Sequence, residues 1–390
     1  MYFIRRGIGT PISGYCKIMS GPVRNPAVLL PAISGILPCT CILDHGVGRI
    51  QRKEKLFDMP EEKCEDLLIL ETYPSGESPH DGLSGIFSKI KHIGDVVRDT
   101  KDVRDAKVLV CGIAPLYNDK LSSLNTNILF TTFESDQLPR RWVQAINRYD
   151  HCIVPHEKIR DIFEMSGVAI PMAVIHQGYR RFERNWRKPK ENEAFVVGFL
   201  GIPVARKNLL KLYIACKQLQ QTAIPELELH IHISSFYDWL DPAPFQDLKT
   251  DSMVRWTSGR YTESQVSEWY QRLSCYVFPS SGEGWSYTPR ESMYLGVPTI
   301  ISSIPVHQEL AESGYCKVIN AQEREPANFD GEYSGSWTRV DVCEISEAIL
   351  DVYSRYDHFE EKARLGAVWI QDKWQDQQVA HKLSDFISSI

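Results

Sequence analysis

"SGEGWSYTPRESMYLGVPT", residues 281–299, holds two carboxylates, Glu283 and Glu291, eight positions apart around a run of glycine, small polar residues and a proline. The preceding "CYVFPS" (275–280) reads as a strand, and Ser281 and Gly282 turn the chain out of it. A helix is expected to open near Thr288–Pro289, since proline in a first helical turn forfeits only an N–H that lacks an intrahelical partner. Open α/β sheets hold their ligands where a strand ends and a helix begins. The unpaired N–H groups of the helix start attract an anion, and Gly284 admits a close approach to the backbone. Carboxylates repel phosphate, so Glu283 and Glu291 are expected to accept hydrogen bonds from neutral hydroxyls. A diphosphate with hydroxyls at both ends is a nucleotide-sugar.

Outward from this stretch, apolar strand-like runs alternate with amphipathic ones, the α/β signature. "MYFIRR" (1–6) reads as a first strand before the glycine-rich loop "GIGTPISG" (7–14). "DLLILE", "KVLVCG", "NILFTTFE", "DHCIVP" and "MAVIHQG" read as further strands, and "HEKIRDIFEMSG" as a helix stopped by Gly167. The charged, apolar-poor stretch 183–193 reads as a linker. A second set follows: strands "FVVGFLG", "ELHIHIS", "CYVFPS" and "VPTIISS", helices "KNLLKLYIACKQLQ" and "ESQVSEWYQRL", and helices through the last 45 residues. Two Rossmann-like domains are expected, residues 1–185 and 190–372, with a cleft between them and a C-terminal helix at about 373–390 packing back on the first.

A chain of 390 residues suits two domains. Its net charge of −6 counts against extended nucleic-acid binding, which needs a basic surface. The first 43 residues carry Arg5, Arg6, Lys17 and Arg24 and no acid, which fits either a solvated face or a surface for an anionic partner. The 10 cysteines show no CxxC pair or zinc cadence and read as reduced thiols of a cytoplasmic protein, with Cys39/Cys41 as a weak alternative for metal. The apolar run 27–43 is broken by Pro31, Gly35 and Pro38 and reads as core, with peripheral membrane contact left open.

The quoted stretch resembles the Glu-x7-Glu motif of retaining GT-B glycosyltransferases, specifically glycosyltransferase family 4; "EGWSYTPRESMYLGVPTI" stands where the usual form reads EGWGLTPLEAMACGVPVI. "VVGFLGIPVARKNLLKLYIA" is similar to the family's glycine loop and basic segment, and "VRWTSGRYTESQVSEWYQRLSCYVFPS" to its run from the base-contacting loop to the motif strand. Residues about 127–312 are covered. The resemblance implies that Glu291 binds the ribose and Glu283 the donor sugar. The backbone of Trp285, Ser286 and Tyr287, flanked by Gly284 and Thr288, would hold the diphosphate. Arg206 and Lys207 would neutralise it, with Gly201 in the glycine loop and Tyr261 in the base-contacting run completing the donor side. Gly9 would approach the phosphates from the first domain, and Glu134 would contact acceptor or sugar. Two departures stand out: Ile202 replaces a common arginine, and Ser286 a common glycine. His151, His156 and His176 read as structural.

The implied reaction is retaining transfer of a hexosyl or pentosyl group from a UDP- or GDP-linked donor to a hydroxyl acceptor, with no cofactor and no metal. Cationic side chains and helix N–H groups would stabilise the leaving diphosphate, and no Asp-x-Asp occurs in the chain. The acceptor class stays open: glycan, lipid-linked sugar, small metabolite, protein or modified DNA base. The alternative is a catalytically weak or inactive GT-B scaffold. A dinucleotide oxidoreductase is disfavoured, because no G-x-G-x-x-G follows a strand with an acid about 20 residues on.

Overall fold

The computed structural model describes residues 64, 66–72, 82–182, 194–234, 240–329 and 331–390. The expected first strand and loop (1–14), Gly9, Cys39/Cys41 and the linker 183–193 lie outside these residues.

The first set of elements runs β1 (Leu67–Leu70), α1 (Gly82–Ile90), β2 (Asp95–Val97), β3 (Lys107–Cys111), β4 (Thr126–Phe130), α2 (Arg140–Ile146), β5 (His151–Val154), α3 (Glu157–Ser166) and β6 (Met172–Val174). The strands form one parallel sheet in the order β2-β1-β3-β4-β5-β6. Parallel strands are covered on both faces, so their runs are apolar throughout. Leu129 and Val154 point to α2 and α3, packing with Trp142, Ile146 and Phe163. Ile128, Phe130 and Ile153 point the other way, to Ile86, Phe87 and Ile90 of α1. α3 ends at Gly167 in the left-handed conformation, as its sequence foretold.

The second set runs β7 (Phe195–Leu200), α4 (Leu209–Thr222), β8 (Leu227–Ile233), α5 (Gln246–Thr250), β9 (Val254–Ser258), α6 (Glu263–Gln271), β10 (Cys275–Phe278), α7 (Tyr287–Tyr294), β11 (Thr299–Ser302), α8 (Gln308–Glu312) and β12 (Lys317–Ile319). An antiparallel hairpin, β13 (Arg324–Phe329) and β14 (Glu332–Thr338), precedes α9 (Val342–Ser354), α10 (Tyr356–Ile370) and α11 (Asp376–Ser389). The second parallel sheet has the order β12-β11-β10-β7-β8-β9. Strand order reverses between β7 and β10, and open α/β sheets bind ligands outside the C-terminal ends of the strands at such a point. Val197, Phe199, Val277 and Ile300 share one core with α4 and α9, while Tyr276 and Phe278 face α6.

The chain passes between the sheets twice. After β6 it enters the second set through Tyr179, Arg180 and Phe182; after α10 it returns, and Val379, Ala380, Leu383 and Ile387 of α11 fill the core beside α1. The two passages touch: the Tyr179 hydroxyl donates to the Ile370 carbonyl at 2.6 Å, and Arg181 to that of Gln371. Among the described residues no helix is long and apolar enough to cross a membrane.

Candidate active site

Two loops meet at the strand-order reversal. The first leaves β7 at Gly201 and contains the 3-10 turn Ala205–Lys207; the second leaves β10 and runs from Pro279 to Ser286. Asn208 ties them: its amide donates to the Pro279 carbonyl at 2.8 Å and to Ser281 Oγ at 2.7 Å, while Ser281 N–H donates to the Arg206 carbonyl at 2.7 Å. The loops are thus fixed by buried polar contacts, and so are the side chains they carry.

Arg206 reaches across both loops and both sheets. Its guanidinium donates to the Gly282 carbonyl at 2.9 Å, to Glu283 Oε1, and at 3.4 Å to Glu134 Oε1 beyond the end of β4. Burial opposes the Arg206 charge, but Glu283 and Glu134 outweigh it and raise its pKa. The two carboxylates are driven apart. Burial favours neutral Glu283, yet Arg206, Lys207 and the Ser280 hydroxyl hold its pKa below the usual range. For Glu134 burial prevails, helped by Glu283 against Arg206, and its pKa is raised. Two carboxyls of opposed proton affinity thus flank a single cation. Lys207 Nζ lies 5.6 Å from the Phe278 ring centroid and stands against Gly201.

Gly284, expected to admit a ligand, and Gly282, expected to turn the chain, instead turn their open sides to the other sheet. A Cβ on Gly282 would collide with the Glu134 carbonyl, and one on Gly284 with Thr132. Their lack of a side chain lets the β4 loop and the β10 loop touch. Trp337 of β14 reinforces the contact, its indole donating to the Glu134 carbonyl at 2.7 Å.

α7 begins at Tyr287, one position before the expected Thr288, with Ser286 as a left-handed N-cap at φ 69°. Glu291 is buried and accepts a bidentate pair from Arg180 at 2.6 and 3.0 Å and a hydrogen bond from the Tyr270 hydroxyl at 3.2 Å. The Trp285 indole donates to the Gly178 carbonyl at 2.6 Å, and the ring stacks on His176. Tyr261, just beyond β9, stacks on His232 near the C-terminal end of β8, with centroids 3.6 Å apart. Lys89 of α1 lies over the Tyr287 ring at 5.0 Å. His156 caps α3 by accepting from Lys158 N–H, and His151 lies at the start of β5.

The structure therefore brings Glu134, Arg206, Glu283 and Gly284 together, sets Ser286, Tyr287 and Thr288 at the adjoining helix start, and places Glu291 one helical turn further on. Sequence reasoning missed Arg180, Tyr270, His307 and Arg290. Each becomes visible only through its partner: Arg180 and Tyr270 through Glu291, His307 through Ser286 Oγ at 2.9 Å, and Arg290 through the Trp285 and Ser286 carbonyls.

A family model described as "Glycosyl transferases group 1" matches residues 181–330. No curated protein matches the sequence significantly. Among solved structures, HepE of Anabaena in complex with UDP-glucose is 13% identical, with a TM-score of 0.60 over 83% of this chain and 99% of that one. Sucrose-phosphate synthase from Thermosynechococcus elongatus is 14% identical, with a TM-score of 0.56 over 73% of each chain. TarM is 14% identical, with a TM-score of 0.52 over 72% of this chain and 54% of its own, so this chain spans about half of TarM. At these identities the likeness is one of fold, and the fold is GT-B.

Proposed function

We propose that this GT-B protein, with its group 1 glycosyl transferase domain over residues 181–330, is a glycosyltransferase that moves a sugar from a nucleotide-diphosphate sugar to a hydroxyl acceptor. The observation that carries the reading is Arg206, held between Glu283 and Glu134 where the strand order reverses, and bonded to the loop that leads into α7. That spot combines a cation, a helix N-terminus and two carboxyls of opposed proton affinity, as charged diphosphate and neutral sugar hydroxyls require.

In this reading Arg206, Lys207 and the backbone at Trp285, Ser286 and Tyr287, with Gly284, Thr288 and Gly201 alongside, take the diphosphate. Glu283 takes hydroxyls of the sugar, Glu134 the acceptor or sugar, and Tyr261 the base. Glu291 takes the ribose; its oxygens are engaged by Arg180 and Tyr270, so an arriving ribose shares or displaces those contacts. The mechanism is that of a retaining, metal-independent family 4 enzyme. The bond from C1 to the phosphate oxygen breaks, the acceptor oxygen bonds to C1 on the same face, and its proton passes to the departing phosphate oxygen. The leaving charge is met by Arg206, Lys207 and helix N–H groups. HepE was solved with UDP-glucose, which makes a UDP-sugar the first donor to try, ahead of GDP-sugars. A reducing, cytoplasmic setting suits the free thiols of Cys111, Cys152, Cys216, Cys275 and Cys316, all buried in the cores.

A second reading, a sugar-nucleotide-binding scaffold without turnover, draws on Ile202 in the basic segment and on the engagement of Arg206 by two carboxylates. Calorimetry with UDP- and GDP-sugars, with and without chelator, followed by product analysis against hydroxyl acceptors, separates the two. Binding and transfer that survive chelation support the proposal. Binding without transfer favours the scaffold, chelator sensitivity rejects metal independence, and no binding rejects both.

A further inference from the structure

Arg290, on α7, is the largest fully buried side chain among the described residues, and its Nε and Nη2 have no hydrogen-bond partner. Its guanidinium lies 3.7 Å from the Trp285 ring centroid and 4.9 Å from that of Trp374. Nη1 donates to the carbonyls of Trp285 and, at 2.9 Å, Ser286. Burial pushes its pKa down to about 9, still above neutrality, so it remains a cation. A buried cation without a bonded carboxylate is costly, and two carbonyls with two aromatic faces offset only part of that cost.

The carbonyls it grips belong to two successive peptide units. In a trans peptide the C=O and N–H point in opposite directions. Holding the Trp285 carbonyl against the core therefore turns the Ser286 N–H outward, and holding the Ser286 carbonyl does the same for Tyr287 N–H. The left-handed Ser286, a strained state for a residue with a side chain, is pinned separately. Its hydroxyl meets His307 Nε2 at 2.9 Å, while His307 Nδ1 meets the Ser302 carbonyl at 2.9 Å. A carbonyl only accepts, so Nδ1 carries the proton and Nε2 accepts from Ser286.

We propose that Arg290 is a positioning residue of the donor site: from within the core it holds the Trp285 and Ser286 carbonyls and so aims the N–H groups of Ser286 and Tyr287 at the diphosphate of a bound nucleotide. Its charge also polarises those two peptides, which strengthens them as donors. This rests on the donor site placed at the start of α7 under the proposed function.

The experiment is calorimetry of the full chain with UDP and uridine, and with GDP and guanosine, alongside thermal unfolding. Arg290→Met keeps the volume and removes the grip. It is expected to lower diphosphate affinity at least tenfold and leave nucleoside affinity within about twofold, while loss of the buried charge and loss of its two carbonyl bonds act on Tm in opposite directions. A purely structural arginine would instead weaken nucleoside and diphosphate alike. Arg290→Lys keeps charge and stem but not the planar fork. It is expected to lose at least threefold on the diphosphate alone, and it carries the test if the methionine variant does not fold. Unchanged diphosphate affinity, or equal loss for nucleoside and diphosphate, overturns the inference while leaving the donor site intact. A wild-type chain that binds neither diphosphate overturns the donor site and the inference together.

Discussion

At the scale of single residues, the site is built from charges that answer one another and from histidines that stay neutral. His156 and His176 are held down to about 3 and His307 to about 4, in each case chiefly by burial. Below a pH of about 6.5 the unfolded chain takes up protons that these folded imidazoles refuse. Stability therefore falls as pH drops from about 6.5 toward 4, by at most about 1.4 kcal/mol per pH unit for each histidine. Thermal unfolding from pH 7 to 4.5 should show this decline, and His307→Gln should flatten it; an identical slope in the variant would mean that His307 titrates normally. Glu283 and Glu291 stood out in the sequence because the strand, loop and helix around them have local signatures; Arg206 and Glu134 were reached only through the family resemblance. Arg180, Arg290 and His307 were not, since a charged or polar side chain is read as solvated until tertiary packing supplies its buried partner.

At the scale of elements, the strands and helices flanking the motif follow from local pattern, whereas β13–β14 does not. Its strands carry few alternating apolar residues, and its order comes from docking. Asp136, beyond β4, accepts from Ser336 N–H, from Ser336 Oγ at 2.7 Å and from Arg324 at 2.5 Å, and Ser334 Oγ donates to the Gln137 carbonyl at 2.9 Å. Phe329 packs between Phe133 and Trp337. The hairpin thus clasps the loop that bears Glu134. Burial opposes the Asp136 charge, but Ser336 and Arg324 overcome it and lower its pKa. Asp136→Ala should loosen the clasp: hydrogen exchange across 132–137 and 324–338 should rise together, with nucleotide affinity nearly unchanged and transfer reduced severalfold. Faster exchange in only one of the two segments would refute a shared unit.

At the scale of the whole molecule, the alternation of apolar runs led to two parallel sheets. Short pieces such as β2 and β12 escaped notice, because three residues carry too little pattern to stand out. The integrity of the first sheet depends on the far end of the chain, since Leu383 of α11 is wholly buried beside Ile86 and Leu109. Leu383→Asp buries an unpaired carboxyl and should cost about 3 kcal/mol or more, lowering the unfolding temperature. A wild-type melting curve would show that α11 is not held by that core. The two passages between the sheets, bonded where Tyr179 meets Ile370, have a mechanical corollary. A single tether lets two bodies swivel freely, but a two-ply joint resists torsion and permits mainly bending about one line. Cutting the chain between α10 and α11 would therefore alter less how far the two halves part than how freely they twist.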